Sequence, residues 1–158
     1  MPKVALDGIE PTNRTGYPPP FDEPVAGRWQ RKVAEAGGLT ELGARHVVLD
    51  PGAWSSQRHW HEGEDELLVM LTGTGVLIED DGETELLPGD IAVWPKGVRN
   101  GHHLINRSSE PCSFVCVSAG SELGGGYSDI DMMWTVEGGF VHKDGTPYGD
   151  ARTLSSTS

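Results

Sequence analysis

The chain has 158 residues, enough for one domain whose core needs no covalent staple. Its 22 glycines, 11 prolines and short apolar runs argue against a helical bundle and for a turn-rich all-β chain. A formal charge of −12 argues against nucleic acid and anionic membrane surfaces as partners, and means that any anionic substrate must be drawn in by a metal or a local Arg or Lys. The N-terminus has no apolar signal region and no window approaches the ~18 apolar residues of a membrane span, so a soluble, cytoplasmic protein is expected.

Residues 1–28 lack apolar periodicity and contain Pro18, Pro19 and Pro20. They read as an extended arm lying over a surface, its own or a neighbouring subunit's. A short strand is expected over Trp29 to Val33, then a helical turn in AEAGGLTELG that ends in glycines. ARHVVLD reads as a strand stopped by Pro51-Gly52, and ELLVML as a strand buried on both faces. VLIED, the Asp81-Gly82 turn and ETELL form a hairpin signal. IAVWP, GHHLIN and SFVCVSA follow as further strands, separated by turn residues. After Gly124-Gly125-Gly126 the pattern weakens, and YSDIDMMWTVEGGFVHKDGTPYGD reads as a loop or an extra strand. The expected organisation is an arm (1–28), a barrel with a C-terminal extension (29–150) and a disordered tail (151–158). Cys112 and Cys116, four apart on one strand, would lie about 13 Å from each other, so both are expected as free thiols.

The chemistry is concentrated in PGAWSSQRHWHEGEDELLVMLTG. His59 and His61 stand at i and i+2, on one face of a strand, with Glu66 following. Imidazoles with a carboxylate suit Fe, Mn, Ni, Cu or Zn. A second stretch, PGDIAVWPKGVRNGHHLIN, adds His102 and His103 as further candidates.

These residues resemble the cupin superfamily of small jelly-roll barrels. Its first motif, G-x5/6-H-x-H-x3/4-E-x6-G, is matched without a gap by Gly52, His59, His61, Glu66 and Gly73. In the second, G-x5-P-x-G-x2-H-x3-N, Gly89, Pro95 and Gly97 fit, but Asn100 stands where a histidine is expected. Two residues on, His102 and Asn106 restore the H-x3-N register, and a shift of two keeps strand parity. The resemblance therefore implies an all-β, single double-stranded β-helix (jelly-roll) barrel. It implies one divalent metal ion (Fe, Mn, Ni or Zn) held by His59, His61, Glu66 and His102, with His103 turned to the opposite face.

A small oxygenated molecule (carboxylate, hydroxy or keto) chelated to that metal is the expected substrate, with a dioxygenase as one form of the enzyme. A non-redox lyase, isomerase or decarboxylase, and a non-catalytic small-ligand-binding protein, are the alternatives. Met70, Val76, Ile78, Trp94 and Asn106 are expected near the pocket, Asn106 as an acceptor for a ligand histidine. Arg58, Arg99 and Arg107 are the candidate carboxylate clamps, set against the plainer reading of solvated surface arginines. Glu62, Glu64 and Asp65 are expected as rim charges, with one of them a possible general base. The exposed edges of a barrel and the arm together suggest a homodimer.

Overall fold

The computed structural model describes residues 2–137 and 139–149; the expected tail at 151–158 lies outside them. Twelve strands are seen among these residues: β1 (Arg28–Lys32), β2 (Leu42–Leu49), β3 (His59–His61), β4 (Glu64–Thr72), β5 (Gly75–Glu79) and β6 (Gly82–Leu86), then β7 (Ile91–Trp94), β8 (His103–Ile105), β9 (Cys112–Gly120), β10 (Gly125–Tyr127), β11 (Met133–Thr135) and β12 (Gly139–Val141). The helical turn is α1 (Val33–Ala36). No helix among the described residues is long and apolar enough to cross a membrane.

All strand pairs are antiparallel, in sheets of order β1-β2-β9-β4-β7, β6-β5-β8 and β12-β11-β10-β3. The last two are joined by isolated bridges, His59 with His102 and Trp54 with Ile105, so they form one layer facing the five-stranded sheet. This is the two-layered, jelly-roll arrangement expected from the sequence. Between the layers sits a core built on Val47, Leu49, Leu68, Met70, Leu77, Leu104 and Phe114. Alternation on each strand sends these residues inward, and each such side chain contributes roughly 1.5–3 kcal/mol by leaving water. Both cysteines are free thiols, as their spacing requires.

The hairpin at Asp81-Gly82 forms as read, with Gly82 at φ +123°. Gly73 turns the chain at φ +71°, where a side chain would strike the Pro111 carbonyl. The region after Gly124 is more regular than its composition suggests. Gly125 and Gly126 themselves form β10, which pairs with β3 on one side and β11 on the other.

The arm is not simply extended. It makes two 3-10 turns, Leu6–Gly8 and Glu23–Val25, bridges Thr12 to Gln30, and packs on its own barrel. Tyr17 and Val25 enter a second apolar cluster with Tyr127 and Met132.

Arg58 ties the layer together. Its guanidinium makes a bidentate contact to Asp129 at 2.8 and 2.9 Å, reaches Asp80, and donates to the Gly101 carbonyl at 3.2 Å.

The glycines of β10 are steric requirements. A Cβ on Gly125 would lie 2.1 Å from the Trp60 carbonyl and 2.2 Å from the Trp134 ring; one on Gly126 would lie 2.4 Å from the Trp60 ring. Backbone and packed indole cannot both give way. Gly125→Ala is expected to cost about 1–3 kcal/mol or more, read as a lowered chemical-denaturation midpoint, and to displace β3.

Candidate metal centre

β3 is anchored on both edges: Tyr127 and Gly125 of β10 pair with His59 and His61, and the His59 and His102 backbones exchange hydrogen bonds at 3.2 and 2.9 Å. Strand parity then points the His59 and His61 rings into the space between the layers and buries Trp60 on the other side. Glu66 comes from the opposite layer, on β4, flanked across the sheet by Trp94 and Ser118.

Donor atoms of His59, His61 and Glu66 all lie within 4.8 Å of one another. His61 Nε2 is 2.7 Å from Glu66 Oε2, and His59 Nε2 is 4.0 Å from the same oxygen. His102 Nε2 approaches the second oxygen, Glu66 Oε1, at 3.4 Å. Yet both nitrogens of His61 and Nε2 of His102 are buried without a properly aligned hydrogen-bond partner. Donor atoms that crowd together without bonding one another are arranged for a third body between them, and nitrogen with carboxylate oxygen suits a divalent transition metal.

The outer nitrogens fix the rings. His59 Nδ1 lies 2.9 Å from the Gln57 carbonyl and 3.1 Å from Ser56 Oγ, and His102 Nδ1 lies 3.2 Å from the Asn100 carbonyl. A proton on each Nδ1 leaves Nε2 unprotonated and facing Glu66. Trp94 stacks flat on His102, with ring centroids 3.9 Å apart, and donates Nε1–H to Glu79 at 2.9 Å. His103 also borders the cavity, which differs from the expectation that it would face away. Its Nδ1 contacts the Ser56 carbonyl at 2.8 Å and its ring packs edge-on to Trp54, so it is held apart from Glu66.

The protonation balance follows from this packing. Burial pushes His59 down to about 4, keeping it neutral at pH 7. Burial also disfavours the charged form of His61, but the adjoining Glu66 outweighs it and raises the group above the ordinary value. Burial opposes the Glu66 carboxylate too, but the surrounding imidazoles hold it well below the usual range.

The cavity has a volume of about 300 Å³, the size of a small metabolite. Trp94 lines it as expected; Met70, Val76, Ile78 and Asn106 do not. Leu77, between Val76 and Ile78, faces inward instead. Met70 is sealed in the core, and the Asn106 amide donates to the Leu49 and Glu110 carbonyls, pinning a loop rather than a histidine.

The three candidate clamps are engaged elsewhere. Arg58 is held by Asp80 and Asp129, Arg99 pairs with Glu62 and lies over the Trp60 ring, and Arg107 makes two bonds to Glu83. The arginines that do border the cavity are Arg28 and Arg45.

Among the acidic neighbours of Glu66, Glu62 is taken by Arg99 and Asp65 accepts from the Lys96 amide, while Glu64 lines the cavity. It lies 3.4 Å from His61 Nδ1, and burial together with the nearby charge of Glu122 raises its pKa. Parity with Glu66 was a signal for Glu64. Tyr127, which the sequence offers with Tyr148 as a possible acid/base phenol, lines the cavity; no pattern in the sequence points to Glu122 or Trp134. The Trp134 ring sits over Gly125 and edge-on to both His59 and His61, and its Nε1 donates to Glu122 at 3.0 Å.

The family model described as Cupin domain matches residues 45–118. A solved structure described as a sugar phosphate isomerase from a cupin superfamily, from Silicibacter pomeroyi, is 39% identical, with 94% of this chain and 97% of that chain covered and a TM-score of 0.88. The polyketide cyclase RemF from Streptomyces resistomycificus is 18% identical over 82% of this chain and 87% of its own (TM-score 0.64). A predicted oxalate decarboxylase from Thermotoga maritima is 20% identical over 75% and 99% (TM-score 0.60). The last two share the fold. No curated protein sequence matches the chain.

Three outcomes are expected. His61→Ala should lose bound metal, measured by elemental analysis, while keeping its β circular dichroism; His102→Ala should lose more metal than His103→Ala. In calorimetric titrations with Mn or Zn at pH 7, binding should release a proton from His61, so the apparent enthalpy should vary with the ionisation enthalpy of the buffer. The raised pKa of His61 sets the sign: affinity should fall as pH drops through the titration of that group.

Proposed function

The chain belongs to the cupin superfamily, and from that premise we propose that it is a metal-dependent isomerase of a small hydroxy-carbonyl compound. One observation carries the reading: the convergent donors His59, His61 and Glu66 open onto the same cavity as a pair of carboxylates, Glu64 and Glu122. The relative described as a sugar phosphate isomerase, alike over nearly its whole length, favours isomerisation over oxidation.

His59, His61 and Glu66, with His102 as the fourth ligand, would hold the metal; the group, when bound, supplies Lewis-acid polarisation of a carbonyl or hydroxyl oxygen. The proton moves through this chain's own residues. Glu64 and Glu122 line the same cavity, and burial together with the charge of Glu122 favours the protonated form of Glu64, so Glu64 can hold a proton as well as release one. Glu64, ionised, takes the proton from the hydroxyl-bearing carbon next to the carbonyl and returns it to the former carbonyl carbon, while the hydroxyl proton passes to the former carbonyl oxygen; hydroxyl and carbonyl exchange places with no external oxidant or reductant. Trp134 and Trp94 cover the two flanks of the histidines and limit water there. Tyr127, whose phenol burial keeps protonated, adds a hydroxyl to the wall.

Incubating metal-loaded protein with a panel of aldose and ketose phosphates in D2O should give deuterium incorporation at carbon, followed by proton NMR. It should proceed equally well without oxygen. Glu64→Gln should lower kcat by about 100-fold or more with metal content unchanged. A strict requirement for oxygen, or no exchange with any member of the panel in the Fe-, Mn-, Ni- and Zn-loaded forms, would overturn the isomerase reading.

A further inference from the structure

Arg28 and Arg45 are unusual in a chain with 24 acidic and 12 basic residues. Arg58, Arg99 and Arg107 each have a carboxylate partner. Among the described residues neither Arg28 nor Arg45 makes an ion pair within 4.0 Å. Arg28 is the more telling of the two. Its side chain donates to two backbone carbonyls, Ser55 at 2.8 Å and Arg14 at 3.4 Å, and its Nε is buried with no partner at all. An arginine stays charged even when partly desolvated, and a desolvated charge without a counter-ion is costly unless something else supplies one.

Both residues line the cavity that contains the histidines, Arg28 half-buried and Arg45 more exposed to solvent. In the register of the five-stranded sheet Arg28 lies opposite Leu49, Gln30 opposite Val47 and Lys32 opposite Arg45, so alternation puts Arg28, Gln30 and Arg45 on the inner face. Arg28 and Arg45 are close enough to repel one another, and both Tyr17 and Tyr127 feel the charge of Arg28. The Tyr17 hydroxyl accepts from the Gln57 amide at 3.3 Å, and burial keeps the phenol protonated and therefore a donor. Two cations, a side-chain amide and a hydroxyl thus face one small space from the wall formed by β1, β2 and the arm. The carboxylates of the cavity, Glu64, Glu66 and Glu122, cluster instead around His61.

We propose that Arg28, with Arg45, Gln30 and Tyr17, holds an oxyanion group of the substrate, a phosphate or a carboxylate, while its hydroxy-carbonyl end meets the histidine cluster. The assignment rests on the isomerase reading for the second half of that statement only; the anion subsite stands on its own geometry. It also answers the long-range repulsion expected from the net charge, because the attraction is local and inside the cavity.

The test is calorimetric titration of the metal-loaded full-length protein at pH 7 and low salt, with inorganic phosphate and with acetate as probes. Wild-type protein is expected to bind at least one of them. Tighter phosphate assigns a phosphate-bearing substrate, and tighter acetate a carboxylate. Arg28→Gln should weaken binding at least tenfold and Arg45→Gln several-fold, with metal content unchanged. Arg107→Gln, whose arginine is paired outside the cavity, should leave it unchanged. Because Arg28 also ties the arm to Ser55, Arg28→Lys serves as a second variant. It keeps the charge but not the fork, and should fall between wild type and Arg28→Gln with wild-type circular dichroism.

Binding of neither probe overturns the proposal, as does wild-type affinity in both Arg28→Gln and Arg45→Gln. So does loss of anion binding in metal-depleted His61→Ala but not in Arg28→Gln, which would place the anion on the metal. Failure of the isomerase reading looks different: no deuterium exchange, with arginine-dependent anion binding intact.

Discussion

Two backbone hydrogen bonds between His59 and His102, beside the Trp54–Ile105 bridge, join two sheets into one layer, and the candidate site depends on them. They set the register between β3 and the chain entering β8, so that two imidazoles from one segment and one from another meet at the same depth. Glu66 arrives from the facing layer, where its position is fixed by pairing with strands on both sides. A small slip at the His59–His102 bridge would move a ring out of line with the carboxylate. The spent Nδ1 atoms then leave little freedom in the rings themselves.

The electrostatics of the cavity are divided. Around His61 lie three carboxylates, compensated by imidazoles and by a cation where one is bound. On the β1–β2 wall lie Arg28 and Arg45, with no carboxylate of the described residues within 4.0 Å of either. Such separation inside about 300 Å³ gives the space a direction, so a polar molecule entering it has one favourable orientation. The tyrosines stand between the two regions, and Trp94 and Trp134 confine the histidines from opposite sides. The arm belongs to this design, because Tyr17 is both part of an apolar cluster and a wall of the cavity.

Much of this was legible in the sequence. The strands from Arg28 to Gly120 follow from alternation and from turn residues, and the spacing of His59, His61 and Glu66 announces their convergence. Other parts were hidden for physical reasons. Parity can be read only when the phase of a strand is known, and choosing Val76 and Ile78 over Leu77 is a phase error of one residue. Nearness to the motifs points to Arg58, Arg99 and Arg107, and alternation with the histidines already turns Arg58 away from them; Arg28 reaches the cavity through a sheet register that spans most of the chain. Gly124-Gly125-Gly126 looked like a break because glycine disfavours strands in isolation. Here the missing side chains admit the Trp60 and Trp134 rings, a packing demand that no local pattern expresses.

The pairing of β2 with β9 joins Leu49 to Cys112 and Leu42 to Ala119. Half of the five-stranded sheet therefore waits for residues made much later, and β3 gains its partner β10 later still. Contacts of such long sequence separation make folding slow, since the entropy of loop closure is spent before the pairing repays it. During synthesis the His59–Glu66 segment leaves the ribosome well before the strands that shape it. The nascent chain thus emerges with its histidines in no fixed geometry, and the relative positions of the donor atoms are set only when the last sheet closes.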